Sequence, residues 1–472
     1  MSLKHFCGLF GVHDGDRAGS QSYLGLYGLQ HRGQESTGIV TSDGNCFHSR
    51  RCPGLVRECF QDDDLAQLKG RHAIGHNRYS TTGSARASNI QPLVVDLRGR
   101  PLAIAHNGNL VNALELRAAM EKDGSIFQST TDSEVFVHLM ARSRQTSLEG
   151  MMKYAAGRVR GAYCLLLLTL NSVAAVRDPN GFRPLCMGRL GDSVIFSSES
   201  CGLDIVGARY EREIAPGEMV TVDESGIRSE QLMPAGKLSM CVFELIYFSR
   251  PDSLVFGVSV DAVRKAMGQR LAHEHPAEAD LVISVPDSSN AAALGYSMAS
   301  GIPLELGLIR NHYVGRTFIY PTSELRTDRV RIKFNPVREL LKNKRVVVVD
   351  DSIVRGTTSR KLMQMLRDVG VSEIHVRISS PPITSPCFYG IDTPTRGELI
   401  AASSSVEDIR GYLGVDSLGY LSVGGLLEST GLRSQDFCVA CFTGEYPVRF
   451  TEEPSKLALE QFDDWAIKRR PR

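Results

Sequence analysis

The chain has 472 residues, enough at roughly 150 residues per domain for two or three domains with substantial cores. Lys and Arg total 54 against 53 Asp and Glu, a formal charge of +1, which excludes the global basic field that draws nucleic acid or anionic membranes. No apolar run approaches the roughly 20 residues that span a bilayer, and Met1 to Phe6 is too short for an export signal, so a cytoplasmic setting is expected. The 11 cysteines stand out, because a reducing compartment disfavours disulfides and an odd number cannot all pair. Some of these thiols are expected to be ligands or nucleophiles.

From residue 7 to about 235 the sequence reads as short β-like runs between Gly, Asn and Asp turns, among them Leu165 to Thr169 and Ser193 to Phe196. Two helical patterns interrupt them, Leu110 to Met120 and Ser133 to Arg144, the second opened by Thr131 or Asp132 as N-cap. The turn-rich stretch Glu224 to Lys237 is the candidate linker. Within this half, Cys7-Gly8-Leu9-Phe10-Gly11 is followed by Gln30 to Ser36 (QHRGQES), Gly75 to Thr81 (GHNRYST), Ala105 to Asn109 (AHNGN) and Ser129 to Glu134 (STTDSE).

Together these strings resemble the class II glutamine amidotransferases, whose N-terminal nucleophile fold, an αββα sandwich, begins at the catalytic cysteine. The resemblance implies Cys7 as nucleophile, with Asn107 and the backbone N–H of Gly108 facing the oxyanion. It also implies Arg78 on the substrate α-carboxylate and Asp132 on its ammonium. The chemistry gives the terminus its meaning. A thiolate attacks, and an α-amino group with a reference pKa of about 7.7 to 8.0 can serve as base. Six residues precede Cys7, so methionine removal alone does not free its amine, and cleavage of a short propeptide, residues 1 to 6, is expected between Phe6 and Cys7.

After Cys241 helices and strands alternate. A helix over about Asp261 to His275 leads to a strand at Leu281 to Val285, and a helix over Asn290 to Ser300 leads to Leu304 to Ile309. Arg345 to Val349 then precedes a helix over Thr358 to Val369 closed by Gly370. Continuous apolar runs joined by helices predict a parallel sheet buried on both faces, with ligands beyond the carboxyl ends of its strands. The sharpest motif is the run from Val346 to Thr358, VVVVDDSIVRGTT. Free N–H groups at the start of the following helix suit a phosphate. Two carboxylates beside that phosphate are tolerable only if they serve other groups, such as ribose hydroxyls or a bridging Mg²⁺.

This run resembles the phosphoribosyl pyrophosphate (PRPP) signature of the type I phosphoribosyltransferases. The resemblance implies a ribose 5-phosphate held by Arg355, Gly356, Thr357 and Thr358, with Ser352 also on PRPP and Asp350 and Asp351 at the ribose hydroxyls and Mg²⁺. Ser288, after Pro286-Asp287, is a further candidate Mg²⁺ ligand. The long Arg-rich segment from Tyr313 to Asn335 reads as a lid whose Arg329, Arg331 and Lys333 could clamp pyrophosphate.

From Cys7 to about Pro447 the chain resembles the glutamine phosphoribosylpyrophosphate amidotransferase family, including Val176 to Pro184 (VRDPNGFRP) and Tyr247 to Ser253 (YFSRPDS). The resemblance implies glutamine and PRPP as substrates, 5-phosphoribosylamine, glutamate and pyrophosphate as products, and the opening step of purine synthesis. It also implies a class II amidotransferase domain over 7–235 and a phosphoribosyltransferase domain over 241–472, with purine nucleotides as feedback inhibitors of a homodimer or homotetramer. Cys438-Val439-Ala440-Cys441 by itself fits zinc, a redox dithiol or an iron-sulfur cluster. With Cys241 and Cys387 it matches the positions that carry a structural [4Fe-4S] cluster in one branch of the family. Cys46, Cys52, Cys59, Cys164, Cys186 and Cys201 fit no ligand pattern and are expected to be packing residues or inert surface thiols. A hexosamine-forming amidotransferase lacks the Asp350 to Thr358 signature, and a non-catalytic nucleotide-binding relative would not need Cys7, Asn107 and Asp132 intact.

Overall fold

The structure, a computed structural model, describes residues 7–79, 86–311 and 329–450, together with Leu459. It divides into two compact units that part at Met240 and Cys241. The carboxyl-terminal unit comprises Cys241–Cys387 and Thr393–Tyr446. The expected single run 241–472 is therefore interrupted, because Phe388–Asp392 and the chain from Pro447 are counted with the amino-terminal unit. Among the described residues no helix is long and apolar enough to cross a membrane.

The amino-terminal unit contains two sheets. The first has seven strands: β1 (Gly8–His13), β2 (Ser36–Ser42), β3 (Phe47–Pro53), β4 (His72–Arg78), β9 (Cys186–Leu190), β10 (Ser193–Ser197) and β11 (Arg209–Glu213). Their order across the sheet is β11-β9-β10-β1-β4-β2-β3. The second has six: β5 (Leu93–Asp96), β6 (Pro101–Leu110), β7 (Gly161–Leu168), β8 (Val173–Arg177), β12 (Glu218–Asp223) and β13 (Gly226–Gln231), in the order β13-β12-β8-β7-β6-β5. Strand periodicity explains the layering. Leu166 and Leu168 of β7 face a cluster shared with Leu9, Ile74 and Phe196 of the first sheet, while Leu165 and Leu167 face the opposite way. On that outer face lie helices α2 (Ala113–Lys122), α3 (Ser133–Arg142) and α4 (Leu148–Ala156). Phe10 and Val12 of β1 pack beneath helix α1 (Ala18–Gly28) on the outer face of the first sheet. The result is the expected αββα sandwich.

Several boundaries differ from the sequence reading. Leu110 ends β6 rather than opening a helix, which starts at Ala113. Asp132 occupies the N-cap position of α3 but makes no capping bond; its Oδ2 instead accepts the Leu110 N–H at 2.9 Å. The stretch read as a linker contains β13, an edge strand paired with β12 from Glu218↔Gln231 to Asp223↔Gly226. Its turn residues belong to the hairpin tip, where Gly226 sits at φ +108°. Cys52 and Cys59, expected as separate thiols, are paired as a disulfide with Cα atoms 5.8 Å apart. The end of β3 and the short helix Val56–Cys59 fold back on each other and bring the two within bridging range.

The carboxyl-terminal unit is built on a parallel four-stranded sheet, β14 (Leu281–Ser284), β15 (Arg345–Asp350), β16 (Glu373–Ile378) and β17 (Ser417–Tyr420), in that spatial order. Val346 and Val348 of β15 pack under helix α7 (Thr357–Asp368), and Val347 and Val349 on the other face are equally buried. Helices α5 (Val260–Glu274) and α6 (Asn290–Ser300) pack together, with α6 also against β14 and β15. Of the predicted run Leu304 to Ile309, Leu304 makes one bridge to Val282 and Leu308–Arg310 pairs with Phe334–Pro336. Of the segment Tyr313 to Asn335 read as a lid, 313–328 lies outside the described residues, as do Met1 to Phe6.

Candidate active sites

In the amino-terminal unit the first site forms where β1, β4 and β6 deliver their ends. Cys7 stands directly before β1 and is 7% exposed. Its carbonyl accepts the Arg32 Nε–H at 3.1 Å, and its thiol donates to the Tyr79 carbonyl at 3.6 Å. Burial pushes the thiol up to about 11, against the opposing charge of Arg78. The charges of Arg78, Asp132 and Glu35 all act on Cys7, so three separate sequence strings converge on it. The antiparallel register explains this, since Gly8 faces Asn77 and the chain on either side continues to Cys7 and Arg78.

Asn107 lies on β6, fully buried, and neither end of its carboxamide has a protein partner among the described residues. A buried polar group is almost always bonded, so this amide is poised for something the fold does not supply. Gly108 follows at φ +153°, and a Cβ there would lie 2.0 Å from the Ala162 carbonyl oxygen. Asn109 Nδ2 donates to the Phe388 carbonyl at 2.9 Å. Asp132 is buried beside His106, with Oδ1 3.6 Å from its Nδ1. Burial alone would raise the Asp132 carboxyl, but His106 and the Leu110 N–H hold it below its usual range.

The sequence string around Arg32 does not by itself show that residue's role, and Glu199 is missed by sequence reasoning. Both are buried. Glu199 accepts from Arg32 and pairs with His31 Nε2 at 2.7 Å. Burial opposes its ionisation, yet the charges of His31 and Arg32 hold it well below the carboxylate range. Arg32 is thus fixed on one side by Glu199 and on the other fixes the main chain of the nucleophile. The signal was the paired His31-Arg32 on a turn, but its acidic partner is 167 residues away.

The second site lies at the carboxyl end of β15. Asp350 ends the strand and Asp351 begins the loop to α7. The parallel register of Ser284 with Val349 sets the loop after β14 alongside. There Ser288 donates to Asp351 Oδ2 and Ser289 donates to Asp350 Oδ1 at 3.3 Å. Ser352 donates to Asp351 Oδ1 at 2.6 Å. Both carboxyls are pushed up by burial, Asp350 further by the charge of Asp351, against the milder pull of Lys333. Gly356 takes φ +72° where the loop meets α7, and a Cβ would come within 2.9 Å of Ile400 Cδ1. Beyond it the first N–H groups of α7 have no acceptor within the helix, with Thr357 exposed and Thr358 half-buried.

The Arg355 guanidinium engages Glu398, its Nη2 2.8 Å from Oε1, so the anion-binding capacity at this loop rests chiefly on the backbone. Arg264 was missed by sequence reasoning. It is buried, donates to the Leu245 and Ser249 carbonyls at 2.8 Å each, and its charge acts on Asp351. The motif Tyr247 to Ser253 therefore braces a residue that supports the acidic pair.

Two groups of donors fit metal groups. Ser288, Asp350 and Asp351 are hard oxygen donors with excess buried acidity, which suits Mg²⁺. Cys241, Cys387, Cys438 and Cys441 all belong to the carboxyl-terminal unit. Met240–Cys241 pairs with Phe437–Cys438 in a two-stranded sheet, and the Thr384 and Ser385 N–H groups donate to the Cys441 carbonyl at 3.0 and 3.1 Å. Burial raises the Cys441 thiol well above its usual value, and the charges of Cys438, Cys241 and Cys387 raise it further. Four thiols whose charges act on one another fit an iron-sulfur centre.

A family described as a glutamine amidotransferase domain matches residues 76–204. The amidophosphoribosyltransferase of Bacillus subtilis is 49% identical over 456 residues, covering 96% of each chain. The chain belongs to the amidophosphoribosyltransferase family. The amidophosphoribosyltransferase of Methanothermobacter thermautotrophicus is 46% identical, covering 96% of this chain and 97% of its own. Among solved structures, the glutamine PRPP amidotransferase of B. subtilis complexed with ADP and GMP matches with a TM-score of 0.90 at 48% identity, covering 95% of this chain and 99% of that one. An allosteric regulatory enzyme of purine biosynthesis matches with a TM-score of 0.91 at 49% identity, covering 95% and 98%. These likenesses cover 95% or more of the chain and so run through both units.

Proposed function

We propose that this chain releases ammonia from glutamine at Cys7 and uses it to displace pyrophosphate from PRPP at the Asp350–Asp351 site, giving 5-phosphoribosylamine and glutamate. The observation that carries the reading is the presence, on one chain, of a buried thiol in the field of Arg78 and Asp132 and of an acidic pair at a strand end ahead of a helix N-terminus.

At the first site a thiol pushed up to about 11 is protonated at neutral pH, so attack requires a base. The α-amino group of Cys7 itself, freed by removal of Met1 to Phe6, has a suitable reference pKa of about 7.7 to 8.0. Arg32 orients it by holding the Cys7 carbonyl. Arg78 binds the glutamine carboxylate and Asp132 its ammonium. The Asn107 carboxamide and the Gly108 N–H stabilise the tetrahedral oxyanion, which gives the unbonded amide its partner.

At the second site the N–H groups and hydroxyls of Ser352 to Thr358, Arg355 and Gly356 included, bind the 5-phosphate. Asp350 and Asp351 orient the ribose hydroxyls, and Lys333 faces the pyrophosphate. Mg²⁺ at Ser288, Asp350 and Asp351 would neutralise the leaving group. A [4Fe-4S] cluster on Cys241, Cys387, Cys438 and Cys441 would tie three stretches of chain together. Purine nucleotides are proposed as inhibitors, in keeping with the ADP and GMP of the B. subtilis relative, and a homodimer or homotetramer as the assembly.

The reading is tested by incubating the protein with glutamine, PRPP and Mg²⁺. Glutamate and pyrophosphate should appear one for one; glutamate release indifferent to PRPP, with no pyrophosphate formed, overturns it. Intact-mass measurement of active protein should show Cys7 as the first residue. Iron and sulfide analysis should find four of each, and zinc in their place would refute the cluster.

A further inference from the structure

The turn between β2 and β3 carries three metal-ligating side chains that neither proposed site uses. Asp43, Cys46 and His48 present ligand atoms that all lie within 4.8 Å of one another. His48 Nε2 is 2.9 Å from Asp43 Oδ2, and Cys46 Sγ is 3.7 Å from each of those two atoms. A tetrahedral Zn²⁺, with bonds of about 2.3 Å to sulfur and about 2.0 Å to nitrogen and oxygen, spaces its ligand atoms about 3.3 to 3.6 Å apart. The three atoms need shift only by a few tenths of an ångström to share one ion.

The turn is built to hold this arrangement. The Asn45 and Cys46 N–H groups both donate to Asp43 Oδ1 at 2.9 Å, which fixes the carboxylate and leaves Oδ2 turned toward the thiol and imidazole. His48 is locked by the hairpin register, Thr41 opposite His48 and Ser42 opposite Phe47. Asp43 and Cys46 are exposed and His48 is half-buried, so the site opens to solvent. It lies at the far end of the sheet from the nucleophile. Ser36 of β2 pairs with Arg78, and the seven residues of the strand, about 20 Å, separate that pair from the turn.

We infer that Asp43, Cys46 and His48 form a surface site for a zinc-type divalent cation, with water completing the tetrahedron. On binding, the Cys46 S–H bond breaks, its proton passes to solvent and the sulfur lone pair bonds the metal. His48 Nε2 gives up the proton it shares with Asp43 Oδ2, the ring taking the Nδ1–H tautomer, and its lone pair and one from the Asp43 carboxylate complete the protein's ligands. The thiolate and imidazole select a borderline-soft ion over Mg²⁺.

The experiment is Zn²⁺ titration of the full-length protein against a chromophoric chelator, repeated for Cys46→Ser and His48→Ala, with Co²⁺ as a spectroscopic probe. Wild type should take up one more Zn²⁺ per chain than either variant and keep it in excess Mg²⁺. Its thiolate-to-cobalt absorption should exceed that of Cys46→Ser. Asp43→Asn, which retains an oxygen for the turn, should weaken Zn²⁺ binding about tenfold or more. Equal uptake by wild type and both variants, displacement by Mg²⁺, or cobalt spectra unchanged in Cys46→Ser would overturn the site. Unaltered affinity in Asp43→Asn would overturn it as a three-ligand centre.

Discussion

The two candidate active sites treat buried charge in opposite ways. In the amino-terminal unit two buried carboxylates have basic neighbours, Asp132 with His106 and Glu199 with His31 and Arg32, and both are held below their usual range. In the carboxyl-terminal unit Asp350 and Asp351 lie side by side, buried and pushed up. The first site is electrostatically complete before substrate arrives. At the second the charges of Arg264 and Lys333 do not offset the burial of the paired acids, an excess of acidity that would suit a cation. A charge-balanced pocket suits covalent chemistry on a neutral amide, whereas an acid-rich one suits a polyanionic substrate that arrives with its metal.

This contrast can be broken most forcefully at the nucleophile. Cys7→Ala should lower glutamine-dependent product formation on the order of 10⁶-fold while ammonia-dependent formation survives. Parallel loss with both nitrogen sources would mean that the sites do not act separately. Next comes Asn107→Ala, expected to reduce glutamine turnover about 10² to 10³-fold, or about 2.7 to 4 kcal/mol in the barrier, again sparing the ammonia reaction. A rate within a factor of two of wild type would remove Asn107 from the oxyanion site.

Smaller effects concern stability. Gly108→Ala forces a Cβ toward the Ala162 carbonyl and should cost about 1 to 3 kcal/mol, read from denaturant midpoints. The acidic pair gives the smallest expected signal and sharpens the comparison directly. A carboxyl raised in the folded state binds its proton more tightly there than when unfolded, so its contribution is full below the unfolded value of about 4 and is lost as pH rises through the raised folded value. Without Mg²⁺, stability should therefore decline with pH above about 4 at this site, and Mg²⁺ should flatten the decline. The readout is the wild-type profile minus that of Asp350→Asn; superimposable profiles would contradict the charge deficit.

The second site was the more legible in sequence because its parts are contiguous. One strand, one loop and one helix N-terminus place Asp350 to Thr358 within a single string, and strand-helix alternation alone set the parallel sheet. The first site is scattered over residues 7, 78, 107 and 132, and only family-like strings gathered it. Arg32–Glu199 and Arg264 were hidden for a physical reason, since each acts through partners that only the folded chain brings near. The edge strand β13 was misread because a solvent-facing strand carries the polar composition of a linker. Helix starts slipped by a few residues where a long strand, β6, continued into the turn.

The unbonded carboxamide of Asn107 has a cost that the resting protein bears throughout its life. A desolvated amide with neither end bonded typically destabilises a fold by about 1 to 3 kcal/mol, and an apolar residue of similar shape would remove that burden. Asn107→Leu should therefore yield a protein that melts higher and hydrolyses glutamine worse. Selection for endurance and selection for turnover pull this one position in opposite directions, so screening variants for thermal resistance alone would steer the enzyme away from its own chemistry.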